Sequence, residues 1–305
     1  AIENHLGPNV DLVKTIAGHL LFSGGKRLRP LLMVHCARLC GYNSGFEIKF
    51  SALFEYLHAA TLLHDDVVDA AALRRGRPAA HTRWSAPKVV LTGDFLLAKA
   101  LTIAAETQAP DIIHVIANIT REMSQGEIEQ LDNKGRLDLT EEEYLKTIER
   151  KTAVLIQGAC SSGAILAGAD RDRQDALSRY GRHLGMAFQM ADDLLDYLAD
   201  AETLGKNPGA DIREGKLTLP LIHSLARASA SDRQWMEEMA AAGHFNMDQF
   251  GELKRKLHDY GGIDYTREKA KAHVKQAKAS LSEFEAGPSL RLLSLIADYS
   301  LARNT

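Results

Sequence analysis

The chain has 305 residues, 45% of them hydrophobic and 25% charged, the composition of an ordinary globular protein and not of a disordered or membrane-embedded one. A formal net charge of −3 gives no bulk attraction to nucleic acid or to an anionic membrane, so no nucleic-acid partner is expected. Cys36, Cys40 and Cys160 are too few and too poorly spaced for a disulfide framework or a zinc site, and read as small core residues in a reducing compartment. No basic-then-apolar signal segment opens the chain, and no apolar run reaches the roughly 18 residues of a membrane span, so a cytoplasmic location is expected. The opening on Ala1 in place of Met leaves room for a few residues upstream.

Taken in chain order, helical periodicity predicts helices over about 10–22 and 28–40, then over 46–68, where Leu53, Phe54, Leu57, Ala60 and Leu63 recur at three- and four-residue steps. Further helical stretches are predicted over roughly 87–105, 110–130, 141–167, 173–198, 215–227, 247–258 and 264–284. Between them stand breakers: Gly24-Gly25, Gly41-Tyr42-Asn43, Gly76-Arg77-Pro78, Asn133-Lys134-Gly135, Asn207-Pro208-Gly209 and Gly261-Gly262. Asp138-Leu139-Thr140 followed by Glu141-Glu142-Glu143 has the form of a helix start, with a capping residue and acids in the first turn. Alternating strand patterns are not evident. The expectation is an all-α protein, a single domain over 1–305 with about ten or more helices.

One short pattern occurs twice. Asp65, Asp66 and Asp69 stand at i, i+1 and i+4, and Asp192, Asp193 and Asp196 repeat that spacing. On a helix the i and i+4 carboxylates are neighbours on one face and repel by a few tenths of a kcal/mol, roughly, per pair. Each trio ends an apolar stretch, so the arrangement makes sense where cations gather. Oxygen-only ligands suit a hard ion such as Mg²⁺, which keeps several waters and borrows phosphate oxygens. Either trio alone would pass for a solvated acidic helix end; two with the same spacing argue against coincidence. A di-iron bundle would want Glu-x-x-His pairs, which no helix here supplies convincingly.

Basic residues adjoin the acidic ones. Gly24-Gly25-Lys26-Arg27-Leu28-Arg29-Pro30 leads a flexible turn into a basic helix start, where free backbone N–H groups favour anions. Arg74-Arg75-Gly76 follows the first trio, Lys151-Thr152 opens an apolar stretch, and Lys206 and Lys216 follow the second trio. Arginine forks match phosphate oxygens in pairs while lysine acts as a point charge. The implied ligand is a diphosphate, and two of them.

These motifs together resemble the trans-isoprenyl diphosphate synthase (polyprenyl synthetase) family over nearly the whole chain. The carrying residues are His64-Asp65-Asp66-Val67-Val68-Asp69 with Arg74-Arg75-Gly76, Phe188-Gln189-Met190-Ala191-Asp192-Asp193-Leu194-Leu195-Asp196, the Gly24–Pro30 run, Lys151-Thr152, and Gly205-Lys206 with Gly215-Lys216. The resemblance implies a helical bundle around a central cavity, the isoprenoid synthase fold. It implies Asp65, Asp69 and Asp192 as the main Mg²⁺ ligands, with Asp66, Asp193 and Asp196 completing the shells and three ions bound with the diphosphate. Arg74, Lys151, Thr152, Gln189, Lys206 and Lys216 would hold the allylic diphosphate, and Lys26, Arg29, His58 and Arg75 isopentenyl diphosphate. His58 precedes Asp65 by seven residues, two helical turns, so both can face one cavity.

The implied reaction is ionisation of the allylic diphosphate, attack by the isopentenyl double bond, and loss of a proton, with Lys151, Thr152 and Gln189 steadying the cation and no protein nucleophile. Leu57, Ala60 and Thr61, just before the first trio, lack the rings that floor the tunnel of short-chain family members. The resemblance is therefore to long-chain enzymes making quinone side chains of about eight to ten units, whose apolar tail needs an apolar sheath. A short-chain farnesyl or geranylgeranyl synthase and a non-catalytic regulatory subunit are the rivals. A terpene cyclase would lack Lys26, Arg29 and Arg75. A homodimer formed through Phe95, Leu96, Leu97 or the 110–130 helix is expected. Transient membrane contact through Lys269, Lys271, Lys275 and Lys278 would fit release of an apolar product.

Overall fold

The structure, a computed structural model, describes residues 11–198 and 209–302. Its helices in chain order are α1 (Asp11–Leu21), α2 (Leu28–Leu39), α3 (Phe46–Val68), the short α4 (Ala80–Arg83), α5 (Ala86–Ala105), α6 (Pro110–Asp132), α7 (Glu141–Ile148) and α8 (Val154–Leu166). There follow α9 (Arg171–Leu198), the short α10 (Ala210–Arg213), α11 (Leu219–Arg227), α12 (Ala230–Ala242), α13 (Met247–Asp259), α14 (Gly262–Ala279) and α15 (Pro288–Ala302). The fold is all-α, as the periodicity predicts. Its one sheet among the described residues is a two-residue hairpin, β1 (Leu73–Arg74) against β2 (Arg77–Pro78).

Two compact units divide the chain. One holds Ala1–Thr120, Gly158–Ser178 and Phe284–Leu293; the other holds Arg121–Gln157, Arg179–Glu283 and Ser294–Thr305. In the first, α3 packs against α2 and along α5, burying Phe50, Leu53, Phe54, Leu57 and Leu63 together with Val89, Leu96, Ala100 and Ile103. Each such fully buried aliphatic or aromatic side chain contributes about 1.5–3 kcal/mol relative to exposure. Leu96 is fully buried here, so it belongs to the core and not to a face that meets a second copy. In the second unit the core joins Met186, Met190, Leu194 and Tyr197 of α9 to Leu221 and Leu225 of α11 and to Phe250, Leu253 and Leu257 of α13.

The stretch predicted as one helix over 141–167 is broken in a specific way. Thr140 and Glu143 form a reciprocal cap: the Glu143 N–H donates to Thr140 Oγ1 at 3.2 Å, and the Thr140 N–H to Glu143 Oε2 at 2.9 Å. Such caps are worth about 1 kcal/mol. Eight residues later the helix widens into one π turn, Glu149–Ala153, before α8 resumes. Two glycines make room for it. A Cβ at Gly126 of α6 would lie 2.8 Å from the Lys151 backbone nitrogen, and one at Gly185 of α9 would lie 2.5 Å from the Ala153 Cα. Helices α12 and α15, the short α4 and α10, and the small hairpin are additions to what periodicity indicates.

Candidate active site

In the first unit, α3 ends in the first aspartate trio. Asp66, one residue round the helix from Asp65, turns inward and is 1% exposed, while Asp65 and Asp69 are half-buried. Asp66 accepts from Arg74 Nε at 2.7 Å and pairs with a second guanidinium nitrogen at 2.5 Å, so the middle aspartate is neutralised by the arginine of β1. The hairpin turn places Arg75 next door in a left-handed conformation, φ 52°. Arg75 donates to the Gly24 carbonyl, its guanidinium 3.1 Å from where a Cβ at Gly25 would stand, and Gly25 at φ 126° holds a backbone shape that favours glycine.

Arg27, also left-handed at φ 51°, donates to Glu55 of α3 at 2.6 Å and to the Leu21 carbonyl. Glu55 is 4% exposed, so this ion pair ties the basic loop to the helix that carries the trio. Around His58, also on α3, four arginines crowd. Burial first, then the charges of Arg29, Arg75, Arg74 and Arg27, hold its imidazole well below the ordinary range, hence neutral. Lys26 is exposed at the mouth of the loop. Four guanidinium groups beside a neutral histidine and an acidic helix end make a surrounding that would suit an anion with cations beside it.

His64 points away from Asp65, as its place one residue earlier requires. Its Nε2 lies 3.0 Å from the Val90 carbonyl and 3.4 Å from Asp94, and its ring fills the space that a side chain at Gly93 would need.

In the second unit, α9 carries the second trio. Asp193 and Asp196 are 4% and 1% exposed, while Asp192 is half-buried. Both oxygens of Asp193 are engaged: Tyr144 of α7 donates to Oδ2 at 2.6 Å, and Gln189, one turn earlier on α9, donates to Oδ1 at 2.7 Å. Gln189 in turn accepts from Thr152 Oγ1 at 2.8 Å, so a chain of donors runs from the π turn to the trio. Burial, above all, raises the Asp193 carboxyl to about 6, and the charges of Asp192 and Asp196 add to it; the Tyr144 and Gln189 hydrogen bonds pull the other way. Asp196 accepts from the backbone N–H groups of Ala210 at 3.2 Å and Asp211 at 3.0 Å, capping α10.

A cavity of about 160 Å³ opens beside this chain, lined by Gln130, Lys134, Tyr144, Lys151, Thr152, Gln189, Asp193, Asp211 and Lys216, among others. Of the predicted group, the cavity gathers Lys151, Thr152, Gln189, Asp193 and Lys216. Lys151 Nζ donates to Gln130 Oε1 at 2.6 Å and pairs with Glu127, and Lys216 Nζ pairs with Glu214 at 2.7 Å. The Gly135 N–H donates to the Gly215 carbonyl at 2.8 Å, which holds the Lys134 and Lys216 turns together. Lys206 lies outside the described residues.

One turn before the first trio, Leu57 and Ala60 are 3% and 4% exposed. Thr61 returns its hydroxyl to the His58 carbonyl at 3.0 Å.

Whether the residues suit a divalent cation can be judged from the donors. Among the described residues no three His, Cys, Asp or Glu side chains form a closed metal cage. Mg²⁺ does not ask for one, since it retains water and takes phosphate oxygens. The second trio is an all-oxygen group whose mutual repulsion helps to raise Asp193, a cost that a bound cation relieves. The donors fit the ion.

Sequence reasoning missed Arg27 with Glu55, Tyr144, Gln130, Lys134 and Glu127. Only Arg27 and Lys134 carried a signal, each lying inside a motif already singled out. The others are recognised by partners 21 to 49 residues away.

The all-helical fold and these two groups of acids and bases are of the kind that suits an enzyme of diphosphate substrates. The polyprenyl synthetase family profile matches residues 10–256. The octaprenyl diphosphate synthase of Escherichia coli is 35% identical over 304 residues, 100% of this chain and 94% of that one. A short-chain isoprenyl diphosphate synthase of Methanothermobacter thermautotrophicus is 36% identical over 93% of this chain and 88% of its own. Among solved structures, a polyprenyl synthase from Caulobacter crescentus, complexed with calcium and isoprenyl diphosphate, superposes with a TM-score of 0.94 at 39% identity, covering 100% of this chain and 93% of that one. The chain belongs to the polyprenyl synthetase family and is a prenyltransferase, a trans-prenyl diphosphate synthase. Its relatives include long-chain and short-chain enzymes, so family membership leaves product length open. Among the described residues no helix is long and apolar enough to cross a membrane.

Proposed function

We propose that this chain makes a long all-trans polyprenyl diphosphate, of about eight to ten isoprene units, by repeated addition of isopentenyl diphosphate to an allylic primer, and that its product supplies quinone side chains. The observation that carries the length is the small, buried Ala60 one turn before Asp65, with aliphatic Leu57 a further turn back. Neither position carries an aromatic ring of the kind that would block a growing chain there.

Asp65, Asp69 and Asp192 are the half-buried carboxylates suited to hold Mg²⁺, and Asp66, Asp193 and Asp196 orient and brace them. Mg²⁺ bound there would neutralise diphosphate oxygens and favour departure of the leaving group. Lys26, Arg29, Arg75 and the neutral His58 bind isopentenyl diphosphate, and Arg74, Lys151, Thr152, Gln189, Lys206 and Lys216 bind the allylic diphosphate. As the allylic C–O bond breaks, its electron pair leaves with diphosphate. The isopentenyl double bond supplies the electrons of the new C–C bond, and a proton passes to the departed diphosphate. Gln189 is fixed by Thr152 and Asp193, and its amide oxygen keeps a lone pair with which to steady the allylic cation. Exposed Leu91 and Leu101 on α5 support pairing of two copies.

Ala60→Phe tests the length assignment. Chromatography of the dephosphorylated products should show a shorter chain at a retained initial rate; an unchanged length would place the growing tail elsewhere.

A further inference from the structure

We propose that Glu127 is a positioning residue for the diphosphate site, a fixed counter-charge that aims the Lys151 ammonium into the cavity and limits how tightly it holds an anion. The proposal rests on the assignment of Lys151 to diphosphate binding made above. Three observations carry it.

The first is the local fit. Glu127 follows Gly126, the glycine whose missing side chain lets the π turn press against α6. The same close approach that creates the π turn therefore brings Lys151 onto the Glu127 carboxylate. The neighbouring Arg150 is served separately, by Glu122 at 3.1 Å and by Glu129.

The second is the state of the carboxylate. The Glu127 side chain is 17% exposed, its Oε2 pairs with Lys151, and its Oε1 is buried with no hydrogen-bond partner among the described residues. A carboxylate so poorly served by other donors depends on the ammonium for its compensation.

The third is the geometry of the cavity. Gln130 and Lys151 line it. An ammonium has three hydrogens. Glu127 and Gln130 take two of the directions, which leaves the third for a ligand oxygen. Released diphosphate must leave after every addition, and a lysine whose charge is partly balanced lets it go more readily than a bare one.

Glu127→Gln keeps the shape and an acceptor for Lys151 but removes the charge. Calorimetric titration of the full chain with inorganic diphosphate, at fixed Mg²⁺, should show binding tightened about threefold or more, as loss of one close counter-charge implies. The KM for the allylic substrate should fall with it. In a Lys151→Ala background the same substitution should give no tightening, because the lysine through which it acts is gone. Thermal unfolding of each variant checks that the fold is kept. Unchanged or weaker binding in Glu127→Gln, or tightening that persists without Lys151, overturns the proposal while the assignment of Lys151 stands. Diphosphate binding that is indifferent to Lys151→Ala overturns that assignment and the proposal with it.

Discussion

The two aspartate trios share one spacing and differ in what braces them. In each the middle aspartate is buried, and in the second trio Asp196 is buried with it. Asp66 meets a full positive charge, Arg74, at 2.5–2.7 Å. Among the described residues Asp193 meets neutral donors, Tyr144 and Gln189, at 2.6 and 2.7 Å. The first trio stands in a unit where four arginines press on His58, and the second beside a cavity lined by lysines. The difference teaches that an identical motif is given two electrostatic settings: one whose middle aspartate is compensated by arginine, the other whose middle aspartate is held by neutral donors and raised by burial and its neighbours.

The largest expected effect is common to both. Asp65→Ala and Asp192→Ala should each lower turnover by orders of magnitude, on the scale of about 10²-fold or more for lost transition-state stabilisation, with circular dichroism unchanged. Near-wild-type steady-state rates in either would break the comparison at its root. Next comes Arg74→Leu, which strands Asp66 in the core. Removing one partner of a buried pair costs about 3 kcal/mol, so the midpoint of urea unfolding should fall clearly. An unchanged midpoint would mean that Asp66 is not held by this pair.

Tyr144→Phe is the milder counterpart in the second unit. It removes one hydrogen bond to a carboxylate, about 1.5–2 kcal/mol, and should push the Asp193 carboxyl higher still, since that bond favours the ionised form. The sign with pH follows. An acid raised above its unfolded value binds more protons when folded, so its contribution to stability falls as pH rises towards and through about 6. In the phenylalanine variant that fall extends to higher pH. The stability gap between wild type and variant, measured by urea unfolding in a chelator, should therefore be wider at pH 8 than at pH 5. An equal gap would show that Tyr144 does not bear on the titration of Asp193.

Much of the site was legible from spacing. The i, i+1, i+4 pattern needs only 3.6-residue periodicity to place Asp65 beside Asp69 and Asp192 beside Asp196. The basic loop announced itself through Gly24-Gly25 and the arginines after it. What stayed hidden depends on partners far along the chain. The π turn at Glu149–Ala153 exists because Gly126 and Gly185, on two other helices, leave room for it. Tyr144 and Gln130 look like ordinary helix residues until Asp193 and Lys151 are brought to them. The family resemblance already set Asp65, Asp69 and Asp192 apart from Asp66, Asp193 and Asp196; the structure adds that the latter three are the buried ones. Helix α12 was hard to see because its alanines and acids give a weak apolar stripe, with only Met236, Met239 and Ala240 buried.

The most direct test feeds the purified chain with isopentenyl diphosphate, an allylic primer and Mg²⁺, and separates the dephosphorylated products by chain length. The expected result is a ladder that accumulates at about eight to ten units, the length proposed from the small Ala60 and aliphatic Leu57 before Asp65. Products that stop at about three or four units would contradict the long-chain assignment. No incorporation of isopentenyl diphosphate at all would contradict the catalytic role given to the two aspartate trios.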